Sequence, residues 1–191
     1  MREAEITRKT KETSISASVN IDGTGASQVK TTVKFLDHLI TLFSSHSMID
    51  LRVEGDGDLV HHIVEDVAIT IGEALDKALG ERNGIRRFGS AMVPMDDSLA
   101  YANIDLVKRP FSVLDLKIDK EGIEDMAGED IYHFLRSLST SLKSNIHVNV
   151  QYGTNDHHKV EAGVKALALS IREACALDSR RSGIPSSKGT M

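Results

Sequence analysis

The amino-acid sequence predicts an α+β protein built by internal duplication, with the helices of its two halves packed together between two outer β-sheets. Three observations predict it. The run His61-His62-Ile63-Val64-Glu65 returns 96 residues later as His157-His158-Lys159-Val160-Glu161, an HHxxE motif in both places. A lone histidine precedes each copy, His38 standing 23 residues before His61 and His133 standing 24 before His157. Each half also reads strands, helix, strand, helix, so its helices can cover only one face of its sheet. Packing the two helical layers on each other buries both.

The elements follow in order. Residues 3–9 and 12–22 read as strands, with alternation clearest in Ile15, Ala17, Val19 and Ile21. Residues 21–27 are a turn, and VKTTVK leads into a helix over 35–46 with Phe35, Leu39, Leu42 and Phe43 on its apolar face. Ile49–Val53 is a short strand and EGDGDL a turn. A long helix runs from His61 to Leu79, turning Val64, Ala68, Ile71, Leu75 and Leu79 to the core, with Gly80 as C-cap. In the second half FGSAMVPM, SLAYANIDLV and FSVLDLKI are strands, and KEGIEDMAGED is a polar connection. Residues 130–142 form a helix carrying His133, Ile146–Tyr152 a strand, and residues 157–177 the second HHxxE helix. The halves are residues 1–84 and 85–180, and the polar tail 181–191 reads as a floppy end unless a ligand orders it.

Composition narrows the function classes. A net charge of −5, no Trp and 4% aromatics argue against nucleic-acid binding. No apolar run approaches the ~18 residues that span a membrane, and the N-terminal stretch MREAEITRKTKETSI lacks the apolar core of a secretory signal. The one cysteine, Cys175, rules out an internal disulfide framework and suits a reducing cytoplasm.

Six of the eight histidines fall in the repeated pattern, and imidazole and carboxylate are ordinary ligands of divalent metals. Residues i and i+4 share a helix face, so His61 with Glu65, and His157 with Glu161, can each reach one ion. Adjacent helical residues point about 100° apart. His62 and His158 therefore point elsewhere and cross over to the ion of the opposite repeat. The zinc-protease pattern HExxH differs, because there the glutamate lies between the histidines.

The segments RKTKETSI, FLDHLITLFSSH, HHIVEDVAITIGEAL, GIRRFG, DLVKRP, HFLRSL, NDHHKVEAGVKALA and IPSSKG resemble, in order and spacing, the imidazoleglycerol-phosphate dehydratases of histidine biosynthesis. The resemblance implies two ferredoxin-like or ribosomal-S5-like halves with a helical bundle between two sheets. It implies two Mn²⁺ ions, a cage of 24 subunits built from trimers, and sites at subunit interfaces. Its reaction removes water from imidazole glycerol phosphate to give imidazole acetol phosphate, the substrate ring being held as imidazolate between two Lewis-acid metals. The family pattern adds His133 to the first ion and His38 to the second. It assigns Glu12 as acid/base and substrate contact and His46 as a second substrate contact, with Glu161 also at the catalytic centre. Phosphate falls to Arg87, Arg109, Lys165, Ser186, Ser187 and Lys188. The chain departs from the family at Val60, where an aspartate usually precedes the first histidine pair, and Asp58 is the nearest acid.

Two other readings compete. A non-catalytic metal-binding protein explains the histidines but gives Glu12 and the phosphate set no role. Binuclear metallohydrolase sites are rich in bridging carboxylates, whereas histidine dominates here by six to two.

Overall fold

The computed structural model describes residues 1–190. The first half contains β1 (Glu3–Lys9), β2 (Thr13–Asn20), β3 (Ser27–Lys30), α1 (Lys34–Ser47), β4 (Asp50–Gly57) and α2 (Val60–Leu79). The second contains β5 (Phe88–Met95), β6 (Ser98–Asp105), β7 (Phe111–Asp115), a small hairpin β8 (Gly122–Ile123) and β9 (Met126–Ala127), α3 (Gly128–Ser141), β10 (Asn145–Tyr152) and α4 (Asp156–Cys175). The sheet orders are β1-β2-β4-β3 and β5-β6-β10-β7. The pair β3/β4 is parallel, as is β7/β10, and the other pairs of the two sheets are antiparallel. The duplication thus extends to strand order and direction.

Alternation makes each sheet two-faced. Ile15, Ala17, Val19, Leu51 and Val53 are buried on the inner face of the first sheet, and Ala100, Ala102, Ile146, Val148 and Val150 on that of the second. Helix α2 lies on β1, β2 and β4 and also packs on α3; α4 lies on β5, β6 and β10 and also packs on α1. The helices form one central layer. Gly72 sets the α2–α3 approach, since a Cβ there would stand 2.7 Å from Ser141 Cβ and 2.9 Å from Leu142 N. Among the described residues no helix is long and apolar enough to cross a membrane.

Four local expectations are corrected. Ser27–Lys30 is a strand rather than a lead-in to the helix, because it pairs in parallel with Leu51–Glu54. Glu54–Gly57 is no turn: Thr13–Ser16 hydrogen-bonds along it and extends β4 to Gly57. The polar connection contains the β8–β9 hairpin, which buries Ile123 and Met126. The tail is tied down as far as Pro185, which is buried. Gly84 N–H donates to Gly183 O at 2.8 Å, and Arg87 donates through Nη1 to Pro185 O at 2.9 Å.

Candidate metal centre and active site

Both HHxxE motifs open helices, with no regular structure between β4 or β10 and the first helical turn. At the start of α4, Asn155 caps the helix by accepting from His157 N–H at 2.9 Å. Among the described residues two donor groups result, each with its ligand atoms within 4.8 Å of one another: His61, Glu65 and His133, and His38, His157 and Glu161. The first joins α2 of one repeat to α3 of the other; the second joins α4 to α1. Each group therefore exists only because helices of different repeats pack together.

The second group converges on one oxygen. His38 Nε2 and His157 Nε2 lie 2.6 and 3.1 Å from Glu161 Oε1, while Lys165 Nζ donates to Glu161 Oε2 at 2.7 Å. Burial opposes the Glu161 charge, but Lys165, His38 and His157 outweigh it and hold the carboxyl at about 2. Ligands bound at about 2.1 Å and at right angles around one ion stand about 3.0 Å apart, so this donor set fits a divalent cation. In the first group the rings of His61 and His133 are 4.7 Å apart. His133 Nδ1 is buried with no hydrogen-bond partner among the described residues.

A second layer of carboxylates fixes the rings. The Nδ1 atoms of His61, His62, His157 and His158 lie 2.7 Å from Asp130, 2.7 Å from Asp58, 3.1 Å from Glu124 and 2.6 Å from Asp97. A carboxylate on Nδ1 selects the tautomer whose Nε2 is free to bind a metal. The hydrogen bond that the His62 ring donates to Asp58 raises the pKa of His62. His158 and the Thr154 and Asn155 donors hold Asp97 far below the usual carboxylate range. His62 keeps a carboxylate partner despite Val60, because Asp58, four residues before it, lies 2.7 Å from its Nδ1. The matching Asp156 in the second repeat contacts Lys159, Asp119 and Lys120 rather than a histidine.

Sequence reasoning identified Asp58 only as the nearest acid and missed Asp97, Asp130 and Glu124. Asp130 sits three residues before His133 on the same helix, which is a readable signal; Asp97 and Glu124 are tips of hairpins and leave none.

Other expected site residues are scattered within one chain. His62 and His158 stand outside both donor groups. Glu12 is exposed, with Oε2 3.9 Å from His62 Nδ1. His46 lies eight residues beyond His38 on α1, about 12 Å along the axis. Arg87 is held by Asp105 at 2.6 and 3.0 Å. It immediately precedes β5, whose eight residues span about 26 Å before the turn that carries Asp97. Arg109, Ser187 and Lys188 are exposed, and Ser186 Oγ accepts from Lys188 N–H at 3.2 Å. Lys165 sits apart from this set, beside Glu161.

The architecture and the donor groups define a class, the α+β enzymes whose centre is assembled from an internal repeat. Residues 31–171 match the family model described as imidazoleglycerol-phosphate dehydratase. The chain belongs to the imidazoleglycerol-phosphate dehydratase family and is a hydro-lyase of histidine biosynthesis. It is 51% identical to the imidazoleglycerol-phosphate dehydratase of Chlorobium luteolum over all of this chain and 96% of that one. It is 49% identical to that of Methanothermobacter thermautotrophicus over all of this chain and 98% of that one. A crystal structure of the Pyrococcus furiosus enzyme superposes with a TM-score of 0.86 at 35% identity, covering 97% of this chain and all of that one. The Staphylococcus aureus enzyme gives 0.85 at 29% identity, covering 92% and 99%.

Proposed function

We propose that this chain converts imidazole glycerol phosphate to imidazole acetol phosphate in a centre holding two Mn²⁺ ions. The observation that carries the metal is the pair of repeat-related histidine–glutamate groups, each backed by a carboxylate on a ring Nδ1. When bound, the ions supply Lewis-acid stabilisation of charge on the substrate's imidazole. Octahedral Mn²⁺ is preferred to tetrahedral zinc because three histidines and a glutamate then leave two positions open.

The chain's residues do the rest. His61, Glu65, His133 and His158 hold the first ion; His157, Glu161, His38 and His62 hold the second. Glu12 takes up the proton that leaves carbon, and its place beside His62 is what supports that role. His46 contacts the substrate. Arg87, Arg109, Lys165, Ser186, Ser187 and Lys188 bind the phosphate, cation and hydroxyl donors suiting that anion, and the tail 181–191 closes over it.

One chain does not complete this site. Since His62 and His158 stand outside the donor groups, and Arg87 lies a strand length from the histidine end, the missing parts come from neighbouring copies. We infer a 24-subunit cage built from trimers. Its support is the outer face of the second sheet, where Phe88, Met92, Phe111, Val113 and Tyr152 are exposed, whereas the first sheet shows Glu3, Glu5, Thr7 and Lys9. An exposed apolar patch of this kind marks an interaction surface.

The test is turnover. Chelation should abolish formation of the ketone product and added Mn²⁺ should restore it. Full activity in metal-free protein would refute the mechanism; metal binding without turnover would favour the non-catalytic reading.

A further inference from the structure

The two donor groups are related by the repeat, yet they are not built alike. In the first, His61 Nδ1 meets Asp130, which stands three residues before His133 on α3 and is buried. The repeat-equivalent position, three residues before His38 on α1, is Phe35. Phe35 has no carboxylate to offer; its ring lies 4.9 Å from that of His157. The carboxylate for His157 comes instead from Glu124, at the tip of the β8–β9 hairpin.

That hairpin belongs to a segment present in one repeat only. Three residues separate β3 from α1, whereas twelve, Leu116–Ala127, separate β7 from α3. The segment is latched to both helices of the second donor group. At α4, Lys159 Nζ donates to Lys117 O and Asp119 Oδ2, each at 2.6 Å. Asp156 Oδ2 accepts from the backbone N–H of Asp119 at 3.2 Å and Lys120 at 2.9 Å. At α1, Asp125 accepts from the first two helical N–H groups, Lys34 at 2.6 Å and Phe35 at 2.9 Å. This serves as a cap supplied from 90 residues away, since Val33 provides no side-chain cap. Buried Leu116, Ile123 and Met126 seat the segment on the core.

We propose that Leu116–Ala127, through Glu124 and Asp125, is the positioning element of the second metal site, Glu124 orienting His157 and Asp125 setting α1 and hence His38. This rests on the metal reading above. It follows that the two sites are inequivalent. The first is held by a buried carboxylate within a helix, the second by an exposed carboxylate on a strap.

Titration calorimetry of metal-free protein with Mn²⁺ alone, with electron paramagnetic resonance of the bound ion, tests the assignment. Wild type should bind two Mn²⁺ per chain. Glu124→Gln and Asp125→Asn should each weaken half of the sites by about 10-fold or more and change the spectrum of that half only. Asp130→Asn should weaken the other half. Glu124 is exposed, so Glu124→Gln should leave the melting temperature in chelator unchanged. If wild type binds two ions and the strap variants give its isotherm, or weaken both halves alike, the assignment is overturned while the metal reading stands. If wild type binds no Mn²⁺, both fall.

Discussion

Arg82 offers a direct measure of what joins the two repeats. It follows α2, its side chain is fully buried, and its guanidinium reaches into the second half. There Nη2 donates to Leu142 O at 2.6 Å and Nη1 to Lys143 O at 3.2 Å, while Nη2 also pairs with Asp76 Oδ1 at 2.7 Å. It thus satisfies carbonyls at the C-terminus of α3, the helix that carries His133. Arg82→Met keeps the apolar stem and removes the fork. Breaking a buried pair costs about 3–5 kcal/mol when the partner is left alone. Asp76 is not left alone, because Lys143 Nζ remains 2.7 Å from its other oxygen. The two orphaned carbonyls cost about 1 kcal/mol each at the low end. A loss of about 3 kcal/mol is therefore expected, a factor of about 150 in the folded-to-unfolded ratio, or about 6–12 °C in melting temperature for a chain of this size. Asp76→Ala should cost more than Arg82→Met if the guanidinium is the group that needs its partner. Calorimetric melting with chelator present, at matched protein concentration, reads both. An Arg82→Met protein that melts within 2 °C of wild type would show that the fork only offsets its own desolvation, and would refute the reasoning.

Further outcomes follow from other contacts. Gly89→Ala should fail to fold or lose more than about 3 kcal/mol, since its Cβ would stand 1.9 Å from the Ser170 carbonyl oxygen on α4; circular dichroism and melting check it. Lys188→Ala should raise KM with little change in melting temperature, because the residue is exposed and supports no core; an unchanged KM counts against tail closure. Asp50 accepts backbone N–H bonds from Thr24 and Ala26, which lower its pKa. A depressed carboxyl contributes stability above its unfolded value of about 3.9 and loses it as pH falls through the folded value. Asp50→Asn should therefore be less stable than wild type at pH 7 and converge with it in acid. Metal-linked assembly is read by sizing with and without Mn²⁺; a monomer in both conditions would rule out sites shared between copies.

What the sequence determined by itself was whatever depends on neighbours along the chain. The duplication is visible because a motif repeats with its flanking residues. Helices α1, α2 and α4 are legible from 3.6-residue periodicity, and Ile15, Ala17 and Val19 from alternation. The pairing of His61 with Glu65, and of His157 with Glu161, is a property of one helical turn. What only the tertiary structure decided depends on partners distant in sequence. Ser27–Lys30 and Glu54–Gly57 are strands because other strands bond to them, a fact no four-residue window contains. Asp130 lies 69 residues from the His61 it holds, Glu124 33 from His157 and Asp97 61 from His158. Acidic residues are common enough that composition cannot single out Asp97 and Glu124. The tail looked loose because it is polar, yet Arg87 reaches Pro185 O across 98 residues. Periodicity is local and survives in sequence, whereas hydrogen-bond partners are set by which surfaces the apolar faces bring together.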